Sequence, residues 1–273
     1  AGRRVRGGRR RERGRRVAVV TRTPILADTP ADELDAGMPF PEFDATKPMI
    51  VSAWGRKGSG KSYFNRRLYR GWPFDKLAVD VNGDADPGAG AEPLRELGRR
   101  WPDAPAGVAD HRTRYQNLVY RADPGSATYD EDLDRAVGMA MFPQDRRTLI
   151  WCGEVAEFMP SAQKTRPHMR RLLQQNRHYS TTALFDGPRP AHVNPLVLHQ
   201  SDYVAVFHLP NPDDRERIAK SIGYPADRFH AECHETFRRG EHWYLLWDAR
   251  EHKLLRCPPL PPLNVNPSKR ENR

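Results

Sequence analysis

Short runs of consecutive apolar residues recur along this chain, each closed by a glycine, proline or acidic residue. MIVSAWG (49–55), KLAVDVNGD (76–84), NLVYRAD (117–123), TLIWCGE (148–154), TTALFDG (181–187) and DYVAVFHLP (202–210) are of this kind. They are too short for helices and mostly lack polar alternation, so they read as strands buried on both faces. Between them, apolar residues three or four apart predict helices over SYFNRRLYRGW (62–72), LRELGRRW (94–101), TYDEDLDRAVGMAMF (128–142) and RPHMRRLLQQNRHY (166–179). NPDDRERIAKSIG (211–223) adds Asn at the cap, Pro at the first helical position and Gly at the end, a full set of helix boundary signals. EHWYLLWD (241–248) and HKLLRCP (252–258) predict a C-terminal β-hairpin. Strands alternating with helices imply an α/β fold, a mostly parallel sheet flanked by helices.

Charge changes this picture only at the ends. The chain has 273 residues and a formal charge of +10. Residues 1–16, AGRRVRGGRRRERGRR, hold nine arginines and one glutamate, and residues 264–273 hold three basic groups and one acid. The 247 residues between are close to neutral. We therefore expect disordered tails at 1–16 and 264–273, a proline-rich extended arm at 17–47, and one folded domain at 48–263. The Arg/Gly tail reads equally as a nucleic-acid contact working through counterion release and as a solvated extension. No apolar run approaches the roughly 18 residues of a membrane span, so no membrane anchor is expected. No apolar h-region follows the basic start, so no secretory signal is expected either. Cys152, Cys233 and Cys257 form no CxxC pair, which fits reduced thiols and a cytoplasmic location.

The candidate chemistry begins at GRKGSGKS, Gly55 to Ser62, which satisfies G-x-x-x-x-G-K-[ST]. A predicted strand precedes it and a predicted helix follows, the context this motif requires. Such a loop wraps backbone N–H groups of Gly55, Arg56, Lys57, Gly58, Ser59, Gly60, Lys61, Ser62 and the adjoining Tyr63 around phosphate oxygens at the positive end of a helix. Lys61 would bridge the β and γ phosphates and Ser62 would hold Mg²⁺, which makes ATP and Mg²⁺ the expected ligands. With this loop present, LIWCGE gains a meaning. In P-loop ATPases that use a glutamate to activate water, an apolar strand ends in Asp-Glu. Here Glu154 stands in the glutamate place as candidate general base, and Gly153 in the aspartate place.

The order of MIVSAWGRKGSGKS, AVDVNGD, LIWCGEVAEFMP, NRHYSTTALFDGPRP and SDYVAVFHL resembles the FtsK–HerA superfamily of ring-forming DNA pumps, over about residues 48–256. The resemblance implies a RecA-like P-loop domain, a homo-hexamer or other ring, double-stranded DNA as partner, and ATP hydrolysis coupled to DNA movement for a phage or mobile element. Location would then be the host cytoplasm if the gene is phage-borne. Two positions depart from the pattern: Gly153, and Pro188 where a sensor glutamine is usual. Either hydrolysis is slow or another group compensates. Asp186 is the first candidate and a candidate metal ligand, since the superfamily's strand order puts its strand between those of the P-loop and Glu154. Asp80 is the second. The resemblance also implies an arginine supplied by the neighbouring subunit. Arg177, in NRHY, is the first candidate finger and Arg189 the second. His178 reads equally as a packing residue. Lys164 and Arg166 are candidate pore contacts or ordinary loop residues, whereas Trp151 and the aromatics of HWYLLW read as core. Two other readings stand beside the motor: a small-molecule or nucleotide kinase, and a nucleotide-binding assembly module with weak or no hydrolysis.

Overall fold

The apolar runs become strands because each can be covered on both faces at once. The computed structural model describes residues 43–83, 85–88, 90–98, 116–142, 146–160 and 165–261. In chain order its elements are β1 (Ile50–Trp54), α1 (Lys61–Gly71), β2 (Asp75–Asp80), β3 (Glu92–Pro93), β4 (Asn117–Arg121), α2 (Tyr129–Met141), β5 (Thr148–Cys152), α3 (Val155–Phe158), α4 (Pro167–Gln175), β6 (Thr181–Gly187), α5 (Leu196–Gln200), β7 (Tyr203–Val206), α6 (Pro212–Ile222), α7 (Ala226–Arg238), β8 (Tyr244–Asp248) and β9 (Lys253–Cys257).

One sheet runs in the order β3-β4-β2-β5-β6-β1-β7-β8-β9. Its strands are parallel from β3 to β7, and β8 and β9 add an antiparallel hairpin. β1, β5 and β6 are buried along their whole length. Their alternate residues feed two apolar layers. Ile50 and Trp54 pack with Leu133, Leu172, Ile218 and Phe229 of α2, α4, α6 and α7. Val51 and Ala53 pack on the other face with Phe64 and Tyr69 of α1, and with Trp151, Phe207 and Tyr244. Parallel strands put all their C-terminal ends on one edge of the sheet, where loops converge. The P-loop, Glu154, Asp186 and the end of β7 lie there. β6 does sit between β5 and β1, with Ala53 opposite Asp186.

Three sequence expectations need correction. Residues 94–98 of the predicted helix 94–101 are not helical; instead Leu94 donates its N–H to the Val119 carbonyl (2.8 Å), which extends the pairing of β3 with β4. The predicted helix 166–179 ends at Gln175, because residues 176–180 turn directly into β6. Helix α7 was not foreseen. It buries Phe229, Cys233 and Thr236, a narrow i, i+4, i+7 stripe in an otherwise charged segment. The tails at 1–16 and 264–273, the arm but for its last residues, positions 99–101 and Lys164 lie outside the described residues.

Two tethers fix the edges. Asp202, just before β7, accepts from the N–H of Ile50 at 2.9 Å. At the other end, the Tyr63 hydroxyl and an Arg67 Nη both donate to the Pro261 carbonyl at 2.9 Å, strapping the residues after β9 onto α1. Among the described residues no helix is long and apolar enough to cross a membrane, and all three cysteines are free.

Candidate active site

Between β1 and α1 the chain folds into a tight cradle. Gly55 donates to the Gly187 carbonyl (3.3 Å) and Arg56 to the His208 carbonyl (3.0 Å), so the loop is anchored to β6 on one side and to the residues after β7 on the other. A Cβ on Gly55 would lie 2.5 Å from Ser59 Oγ and 2.8 Å from Phe207 Cβ, so only glycine lets the loop close this far. Gly60 has φ 109°, a conformation that other residues rarely adopt, and it starts α1 with no side-chain cap. The N–H groups of the first turn therefore point outward without an internal acceptor, a ready anion site. Lys61 is 8% exposed at the first helical position. Tyr63 is turned away through its hydroxyl, which is held by Pro261, so it can serve a phosphate only through its backbone.

Glu154 sits one residue past Gly153 at the end of β5, with φ 52° and ψ 66°. A left-handed backbone at a residue other than glycine costs about 1 kcal/mol or more. The Glu154 backbone N–H is bonded by Asp186. This carboxylate is 3% exposed. Its Oδ2 accepts from Trp151 Nε1 (2.9 Å) and Asn65 Nδ2 (3.1 Å), and its Oδ1 accepts from the backbone N–H of Glu154 (3.3 Å). Asp186 thus links the P-loop helix, the Glu154 strand and its own strand. Ser62 lies one helical turn before Asn65, on the same side of α1. Burial, with the Asp186 charge second, pushes the neighbouring Cys152 thiol well up, so it stays protonated. Gly153 has open space: a Cβ there meets nothing within 4 Å.

Asp80 is also buried, but it accepts from Ala85 N (3.2 Å) and faces Arg121 at 3.6 Å, so it organises its own loop. Of the two compensating candidates, Asp186 is the one joined to Glu154.

The arginines separate sharply. Arg189 follows β6 on the active edge, and its Nε lies 2.7 Å from the buried carboxylate of Asp214 in α6. Asp214 also accepts from Ala191 N (3.1 Å), so this pair ties the β6 turn to α6. Arg177 precedes β6 and therefore lies on the opposite edge. At about 3.3 Å per residue, the strand between it and Gly187 puts it roughly 20 Å from its own P-loop. It is 73% exposed and 3.3 Å from Asp202. Arg166 is drawn inward, bonding Asp130 and the Glu157 carbonyl, and is 14% exposed, a tie between helices more than a surface contact. His178 packs edge-on against Tyr179.

Sequence reasoning missed one part of this edge. On the side of the P-loop away from Glu154, a cleft of about 350 Å³ is lined by Arg56, Gly58 and Ser59 together with His208, Phe237 and residues 240–243. Trp243 belongs to this cleft and is only partly buried, unlike Tyr244, Leu245, Leu246 and Trp247, which are core. The expectation that all aromatics of HWYLLW are core is corrected at that one residue. The turn before β8 places it, a tertiary feature with no local sequence signal.

No protein-family model matches the sequence, and comparison with curated proteins gives no significant match. Solved structures do resemble it. The genome packaging NTPase B204 from Sulfolobus turreted icosahedral virus 2, in complex with AMPPCP, aligns with a TM-score of 0.59 at 18% identity, over 80% of this chain and 100% of that one. The same protein in complex with sulfate gives 0.59 at 19%, over 80% and 99%. B204, the DNA-packaging ATPase from Sulfolobus Turreted Icosahedral Virus, gives 0.57 at 18%, over 79% and 100%. At such identities the likeness bears on the fold. This chain has a P-loop NTPase fold, shared with the genome packaging NTPase B204.

Proposed function

We propose that the protein is an ATP-hydrolysing motor that moves double-stranded DNA for a phage or mobile element, working in the cytoplasm as a homo-oligomeric ring. The observation that carries the reading is the junction at Asp186, where one buried carboxylate joins the P-loop helix to the strand-end Glu154. A surface glutamate on a structural strand has no need of such a hold.

The chemistry follows from the positions. The N–H groups from Gly58 to Tyr63 bind the phosphates at the uncapped start of α1. Lys61 offsets charge on the β and γ oxygens. Glu154 orients water for in-line attack on the γ phosphorus and accepts its proton. The water oxygen forms the new P–O bond, the bond from the γ phosphorus to the β–γ bridging oxygen breaks, and ADP and phosphate result. The site fits Mg²⁺: the Ser62 hydroxyl and the Asp186 Oδ1, which keeps acceptor capacity, are the groups that would hold it directly or through water. No cluster of three His, Cys, Asp or Glu residues suited to a metal occurs among the described residues, in keeping with an ion held largely by phosphate and water. When bound, Mg²⁺ neutralises charge developing on the phosphate oxygens.

Arg177 cannot reach its own P-loop, so as a finger it acts on a neighbour's nucleotide. Arg189, committed to Asp214, is the weaker choice. The body of the chain is near neutral, so DNA contact would fall to a few charges per subunit, with the exposed Arg170 and Arg171 of α4 as candidates. The test is ATP turnover by the purified chain with and without double-stranded DNA. Stimulation that disappears in Lys61→Ala is expected. Turnover indifferent to DNA would remove the motor, and nucleotide binding without turnover would favour an assembly module.

A further inference from the structure

The cleft beside the P-loop is unused by the chemistry above. Its position follows from the strand order. The P-loop caps β1, with β6 on one side and β7 on the other. Glu154 and Asp186 stand on the β6 side, so the reacting end of a triphosphate lies there. The other end must run toward β7, where Arg56 is anchored to His208 and the cleft opens.

The walls suit a flat heteroaromatic ring with a polar rim. Trp243 presents an indole to the cleft lining, with the Arg239 guanidinium over its ring at 5.3 Å. His208 is set edge-on to Phe237 at 5.6 Å, and its Nδ1 is buried with no hydrogen-bond partner among the described residues. Ser59 Oγ is likewise buried without a partner. These two atoms give a ligand in the cleft polar partners to satisfy. The cleft is also tied to the cradle: His242 Nδ1 lies 3.2 Å from the Ser59 carbonyl, so the turn bearing Trp243 is held by the P-loop backbone itself. Its volume of about 350 Å³ is within the range of small-ligand pockets.

We infer that this cleft seats the nucleoside of the bound nucleotide, a purine base stacked on Trp243 with its base or ribose hydrogen-bonded to His208. The inference rests on the phosphate assignment to the P-loop. Burial first, then Arg56 and Arg215, holds the His208 imidazole below its usual 6.5. At neutral pH one of its ring nitrogens therefore accepts and the other donates.

The experiment compares ADP with inorganic pyrophosphate, each with Mg²⁺, as ligands of the full chain by calorimetry. Both carry two linked phosphates and only ADP carries a nucleoside. In the wild type, ADP should bind at least tenfold more tightly. Trp243→Ala should weaken ADP about tenfold, the scale of base–aromatic stacking, and leave pyrophosphate unchanged. Trp243→Phe should recover most of the loss. His208→Ala should weaken ADP threefold or more, again without effect on pyrophosphate. Wild-type ADP affinity in both alanine variants overturns the inference while the P-loop assignment stands. Equal loss of both ligands also overturns it, since the turn would then merely support the cradle. Failure of the wild type to bind either ligand would overturn the phosphate assignment itself.

Discussion

Asp186→Asn isolates the junction on which the site turns, because it removes one bond and keeps the shape. The asparagine carbonyl can take the place of Oδ2 and still accept from Trp151 Nε1 and Asn65 Nδ2, which lie at 2.9 and 3.1 Å. Its NH₂ then occupies the place of Oδ1 and faces the Glu154 N–H, a donor against a donor, where a 3.3 Å bond stood. Hydrogen bonds to a charged partner contribute about 1.5–3 kcal/mol and neutral ones about 1. Neutralising a buried carboxylate also relieves its desolvation. A net loss of about 1–2 kcal/mol is expected, read as a shift of the urea midpoint with unchanged slope. The larger effect falls on catalysis. Without its tether, the left-handed Glu154 backbone relaxes, and part of the roughly 10²–10⁴ that a positioned base supplies is lost. Turnover should drop about 10- to 100-fold, with KM for ATP within about threefold, because the P-loop is untouched. Repeating the assay across Mg²⁺ concentrations separates two modes. Excess Mg²⁺ restores turnover if Asp186 serves the ion and fails to do so if it serves Glu154. A stable Asp186→Asn protein with wild-type kcat at every Mg²⁺ concentration would refute the reasoning.

Glu154→Gln should bind Mg-ATP normally and lose hydrolysis, and a fall of less than about tenfold in single-turnover rate would reduce Glu154 to a structural role. Gly153→Asp has room for its Cβ and should fold with stability within about 1 kcal/mol of wild type; turnover should hold or rise, and a loss of activity in the folded variant would show that Gly153 is required. Arg177→Ala should bind ATP but hydrolyse it poorly, by on the order of 10³ or more if it is a finger. Mixed with the equally inactive Lys61→Ala, it should regain activity in shared rings, whereas verified mixed rings without rescue would move the role elsewhere.

Much of the fold was legible because buried parallel strands are written as unbroken apolar runs. β1, β5 and β6 could be placed from residue identity alone, and the P-loop from its glycines. What escaped was set by contacts distant in sequence. Leu94 and Leu97 look helical in spacing, yet their segment extends the sheet edge toward β4. Helix α7 hides because its buried stripe is only three residues wide, and one of them, Thr236, is polar. Arg189 reads as a second-choice finger, and its ion pair with Asp214 of α6 has no local sequence signal. Asp186 was legible as a carboxylate at the right strand end, but its three donors come from Asn65, Trp151 and Glu154, which only the packed sheet brings together. The cleft draws on His208 and on residues 237–243, and neither stretch carries a motif.

The strap over α1 has a mechanical consequence. Tyr63 and Arg67 grip the same carbonyl at Pro261, and they stand one and five residues beyond Ser62. A pull on the chain at that point is delivered to the first two turns of the helix whose start cradles the phosphates, with no intervening hinge. The strap would therefore act as a load path: tension on it would be felt as torque on α1, and a shift at the head of α1 would return along it as displacement. In the motor proposed above, the residues just after β9 would then have leverage over nucleotide exchange at α1.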